Sequence, residues 1–94
     1  MARSNARDLV HRARDNGGAV GAFNVILLEH AEALVLAAEQ IKLPIILQIS
    51  ENCVKYHGAL KPIAIASIAI AEAADVPVSI HLDHAEGEDL IRQA

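Results

Sequence analysis

Three short apolar runs recur along this chain, and a stretch of helical periodicity follows each of the first two. This alternation constrains the fold more than any other feature. The runs are Val20 to Val25, Ile45 to Ser50 and Val78 to Asp83. Between them, from Leu27 to Lys42, apolar residues recur at three- and four-residue steps (Leu28, Ala31, Val35, Ala38, Ile41), with Glu29, Glu32 and Glu39 interleaved. That spacing predicts an amphipathic helix. A second helix is predicted from about Leu60 to Ala74, with Pro62 in its first turn, where a missing N–H does no harm. An opening helix capped by Ser4 or Asn5 runs to about Asn16, where Gly17-Gly18 stops it. Glu51 to Gly58 reads as a polar loop, and Glu86 to Ala94 as the beginning of a last helix, acidic at its positive end. Strand–helix alternation of this kind predicts a parallel sheet with right-handed crossovers.

Side chains alternate along a strand, so each run divides into two faces. Gly21, Phe23 and Val25 share one face of the first run, and Ala22 and Asn24 the other. Ile45, Leu47 and Ile49 oppose Ile46, Gln48 and Ser50 in the second. Val78, Ile80 and Leu82 oppose Ser79, His81 and Asp83 in the third. One face is apolar throughout, and the other turns polar toward the C-terminal end. A doubly wound sheet, covered by helices on both faces, needs two apolar faces. A (β/α)8 TIM barrel needs only one, and its active site lies at the C-terminal strand ends. Asn24, Gln48 and Ser50 are therefore site candidates; the plainer alternative is that each satisfies a neighbouring backbone group. A dinucleotide-binding fold would place glycines directly after the first strand, where this chain has Val25-Ile26-Leu27-Leu28.

Composition narrows the function classes. Ninety-four residues are one domain at most. Hydrophobic residues make up 53%, which is incompatible with a disordered chain, and aromatics only 2%, too few for a stacking surface. A formal net charge of −4 offers no basic field for nucleic acid. The apolar stretch from Ile63 to Ala74 is too short to span a bilayer, and no secretory signal opens the chain. A lone cysteine, Cys53, excludes an internal disulfide framework. The expectation is a soluble, cytoplasmic protein with no nucleic-acid or membrane partner.

The densest chemical signal is His81-Leu82-Asp83-His84 at the end of the third strand. A carboxylate can take up a proton and return it during turnover, and a neutral imidazole is a good zinc ligand. Adjacent Asp83 and His84 cannot both point inward from a regular strand. The strand is therefore expected to end there, with Asp83 inward and His84 turning in from the loop. His81 is expected to hydrogen-bond inside the barrel. His11 and His30 fall on helix faces, as surface or boundary residues. His57 and Lys55 lie in the predicted polar loop at the same end of the sheet as the candidate site, where Lys55 could approach a phosphate; the favoured reading is a plain solvated loop. Cys53, with no clear base beside it, is not a nucleophile candidate.

Taken in order, Gly21-Ala22-Phe23-Asn24-Val25, then Leu43-Pro44-Ile45-Ile46-Leu47-Gln48-Ile49-Ser50, then Pro77-Val78-Ser79-Ile80-His81-Leu82-Asp83-His84 closely resembles the start of class II, zinc-dependent fructose-bisphosphate and ketose-bisphosphate aldolases. The resemblance runs over nearly the whole chain. It implies the first three βα units of a (β/α)8 TIM barrel, preceded by an N-terminal helix. Residues 1–94 would then form the N-terminal part of a single barrel domain, incomplete and inactive alone, since such a barrel takes about 250 residues. The implied activity is cleavage of a ketose 1,6-bisphosphate to dihydroxyacetone phosphate and an aldehyde phosphate, as in glycolysis. By resemblance Asp83 exchanges a proton with the substrate hydroxyl at the cleaved bond, and His84 is a zinc ligand. Asn24, Gln48 and Ser50 match strand-end positions near the substrate. The whole protein would bind Zn2+, with a second, monovalent cation possible in such enzymes, and would form a homo-oligomer. After the Asp-His pair the family often has Gly, then Ser and an aromatic residue; here the run is Ala85-Glu86-Gly87-Glu88, which blurs the substrate subclass. The competing reading is a non-catalytic remnant or interaction fragment of the same fold.

Overall fold

The computed structural model describes residues 3–83, 85 and 87–93. Asn5 opens the first helix, α1 (Ala6–Asp15), by accepting the Arg7 N–H on its side-chain oxygen at 2.8 Å. That satisfies one of the donors a helix start leaves unpaired. Strand β1 (Gly21–Asn24) follows, then α2 (Leu28–Ile41), β2 (Ile45–Ser50), α3 (Glu51–His57), α4 (Lys61–Ala73), β3 (Val78–Asp83) and α5 (Glu88–Gln93). Lys42 ends α2 in the left-handed conformation, at φ 57°, two residues before Pro44. The segment from Glu51, expected as a loop, is the helix α3. Ser50 caps it by accepting the Cys53 N–H at 3.1 Å, and Gly58 closes it at φ 86°.

The three strands form one parallel sheet in the order β1-β2-β3. Their register aligns the rows expected from parity. Gly21, Ile45 and Val78 are partners, as are Phe23, Leu47 and Ile80. The main core holds the buried apolar residues of this face, including Ile45, Leu47, Ile49 and Val78, with Ala31, Val35 and Ala38 of α2 and Ile63 and Ala71 of α4. Both crossover helices therefore cover the same side of the sheet. That is consistent with part of a barrel wall, whose helices all lie on one side of the sheet. Leu47 is fully buried there; full burial of one such side chain stabilises by about 1.5–3 kcal/mol.

The opposite face carries a smaller apolar contact at its N-terminal end. Leu9 of α1 is buried, as are Ile46 and Ser79 on the strands. A cleft between α1 and the sheet is lined by Ala6, Arg7, Val10 and His11 on one side and Ile46, Gln48 and His81 on the other. The chain before α1 also pairs with β3, where the Ser4 N–H donates to the Val78 carbonyl at 2.7 Å. So α1 covers the foot of this face and leaves its C-terminal end open.

Gly21 has a packing reason. The Phe23 ring folds back along β1, and a Cβ on Gly21 would lie 2.6 Å from its Cε2. Phe23 itself stays 47% exposed, with Leu36 and Ile41 on α2 more exposed still.

Candidate functional site

The polar strand ends meet in register. Asn24 of β1, Gln48 of β2 and His81 of β3 form one transverse row. Ser50 and Asp83 form the next polar row toward the C-terminal end. Neighbouring strands stand about 4.8 Å apart, so the candidates from the sequence form a compact patch on one face. Asn24 and His81 are exposed; Gln48, Ser50 and Asp83 are half-buried. β3 is described through Asp83. His84, the candidate metal ligand, lies outside the described residues, and so does Glu86.

Among the described residues no three His, Cys, Asp or Glu side chains come together as a metal site. The described donors at this end, Asp83 with His81 one row below, would supply part of a ligand shell at most. A catalytic zinc site takes about three protein ligands.

Ser50 has a structural partner as well as a place in the patch. Its Oγ accepts from the Cys53 N–H, but a hydroxyl also carries a proton to donate. An anionic oxygen above the strand end could receive it while the cap stays in place.

Side chains that the sequence did not mark hold the loops around this patch. His30, expected as a surface or boundary residue, accepts the backbone N–H groups of Ile26 and Leu27 on Nδ1, both at 3.2 Å. It fills the role a Glu plays in a capping box, reaching back from the first turn of α2. The Ile26 carbonyl accepts from His57 Nε2 and from the Cys53 thiol. The loop after Asn24 is thus bound from both sides. His57 edges against the Tyr56 ring, with centroids 5.0 Å apart. Cys53 is buried, and burial pushes its thiol pKa up, so it is held protonated as a donor and not as a nucleophile. Lys55 pairs with Glu51 at 3.5 Å. Glu51 accepts the Gly87 N–H at 2.8 Å. The signal for α3 was present in the sequence: a Ser cap, an acidic first residue, basic residues in the last turn and a closing Gly.

Residues 4–94 match the family model described as fructose-bisphosphate aldolase class-II. A fructose-bisphosphate aldolase of Streptococcus pneumoniae serotype 4 is 43% identical over 93 residues, covering 97% of this chain and 32% of that protein. One from Thermus caldophilus is 38% identical over 87 residues, covering 93% of this chain and 28% of that protein. Among solved structures, the YdjI aldolase of Escherichia coli K12 superposes with a TM-score of 0.87 at 25% identity, over 97% of this chain and 35% of that one. The chain thus spans about a third of the length of the relatives it matches.

Proposed function

Because the chain belongs to the class-II fructose-bisphosphate aldolase family, we propose that the whole protein is a metal-dependent aldolase. It cleaves a ketose 1,6-bisphosphate such as fructose 1,6-bisphosphate to dihydroxyacetone phosphate and an aldehyde phosphate. The observation that carries this reading is the family match over residues 4–94. The aligned polar rows at the C-terminal strand ends support it, since that is the face on which barrel enzymes build their sites. The finer parts of the proposal are that these are the first three βα units of eight, that residues 1–94 belong to one barrel domain, and that the protein is a cytoplasmic homo-oligomer. No helix among the described residues is long and apolar enough to cross a membrane.

In this reading Asp83 takes the proton from the substrate hydroxyl at the carbon that becomes the aldehyde. Loss of that proton lets the adjacent carbon–carbon bond break, with its electron pair drawn toward the neighbouring carbonyl. Asp83 returns the proton in the condensation direction. His84 would supply one ligand to a zinc ion. Zinc, when bound, polarises a carbonyl oxygen. Asn24 and Gln48 orient the substrate from the adjoining row, and Ser50 donates its hydroxyl proton to a substrate or phosphate oxygen.

The test is cleavage of fructose 1,6-bisphosphate and of tagatose 1,6-bisphosphate by the whole protein, followed as dihydroxyacetone phosphate released, with and without a chelator. The reading expects cleavage of at least one of them, abolished by chelation and restored by zinc. No cleavage of either with zinc supplied would favour the non-catalytic alternative.

A further inference from the structure

The segment that leaves β3 is tied to the first residue after β2. The Gly87 N–H donates to Glu51 Oε1 at 2.8 Å, and Lys55 Nζ stands 3.5 Å from Glu51 Oε2. The Glu51 side chain is only 15% exposed, against 70% for Lys55. A carboxylate so far withdrawn from water needs partners for its charge, and a backbone N–H on a carboxylate is among the stronger hydrogen bonds. A Cβ on Gly87 would stand 3.3 Å from Glu51 Oε1, so the close approach suits a glycine. Glu51 directly follows Ser50, the register partner of Asp83, and Gly87 closes the segment that begins at Asp83. One side chain therefore spans two adjacent strand ends.

We propose that Glu51 is a positioning residue: by holding the Gly87 backbone it fixes the far end of the short span that starts at Asp83 and includes, in sequence, the proposed ligand His84. The proposal rests on the aldolase reading above. Glu51 acts through the loop and is assigned no contact with substrate or metal. Lys55 screens its outer oxygen and is not needed for the tether.

The experiment compares Glu51→Ala, Glu51→Gln, Gly87→Ala and Lys55→Ala with the parent in the whole protein. Zinc affinity is read by chelator competition, and kcat and KM from fructose 1,6-bisphosphate cleavage. Losing the support behind a metal ligand typically costs 10–100-fold in affinity or activity. Glu51→Ala is expected to weaken zinc binding about 10–100-fold and to lower kcat more than it raises KM. Glu51→Gln keeps an amide oxygen for the Gly87 N–H and is expected to stay within a few-fold of the parent, as is Lys55→Ala. Gly87→Ala crowds the same contact from the other side and should move zinc affinity in the direction of Glu51→Ala. It keeps the question open to test if Glu51→Ala does not fold. A contact that serves stability alone would lower the urea midpoint and leave zinc affinity unchanged. Parent-like zinc affinity in Glu51→Ala or Gly87→Ala, or failure of Glu51→Gln to restore it, overturns the proposal. A parent that neither binds zinc nor cleaves substrate overturns the aldolase reading itself.

Discussion

The Ser50 hydroxyl caps α3 and still has a proton to give, so one residue can serve both the fold and the site. Ser67 is a contrast. It is fully buried on α4, and its Oγ has no hydrogen-bond partner among the described residues. An unpaired buried hydroxyl costs about 1–3 kcal/mol. Ser67→Ala is therefore expected to raise stability by about 1 kcal/mol, seen as a higher urea midpoint at unchanged slope. A lower midpoint would mean the hydroxyl has a partner. The metal reading is also decided at a single residue. His84→Ala in the whole protein should lose both zinc after dialysis and activity; full retention of zinc would remove His84 from the site.

Among the elements, the strands were the most legible part of the sequence. Ile45 to Ser50 and Val78 to Asp83 were expected with the bounds observed, because β-branched runs flanked by Pro44 and Pro77 leave little choice. Their polar parity gave the aligned rows of the candidate site. The third helix α3 carries no apolar stripe to mark it, since so short a helix buries only Cys53. Its identity lies in its caps. Nor could the ties from His30, His57 and Glu51 be read from the sequence. Each joins a loop to a helix start or end through backbone groups, and no pattern of residue types records which backbone N–H or carbonyl comes near. Helix ends also offer a prediction. Lys42 adopts a left-handed conformation that costs a residue with a Cβ about 1–2 kcal/mol, while glycine loses more chain entropy on folding. Lys42→Gly should be stabilising by about 0.5–1 kcal/mol in urea unfolding; a destabilised variant would show that the Lys42 side chain makes a compensating contact.

At the scale of the whole molecule, the three-stranded parallel sheet is covered unequally on its two faces. Two helices cover one face, and α1 covers the foot of the other. Among the described strands β1 and β3 lie at the edges of the sheet, and Leu36, Ile41 and Leu43 are more than half exposed. Such edges and patches promote association. Residues 1–94 expressed alone are expected to self-associate and to lack a cooperative thermal transition; a monodisperse monomer with a sharp transition would contradict this. The parity of three strands was enough to predict a one-sided sheet, but the edges could be located only once the strand order was known. In the function proposed above, the polar C-terminal end of this sheet carries the proton transfer of an aldolase. The most direct test is steady-state cleavage of fructose 1,6-bisphosphate by Asp83→Ala in the whole protein, with zinc content measured on the same sample. The expected result is zinc retained and turnover about 10²–10⁴-fold slower, the usual worth of a positioned acid–base group. Parent-rate cleavage by Asp83→Ala with zinc bound would contradict it.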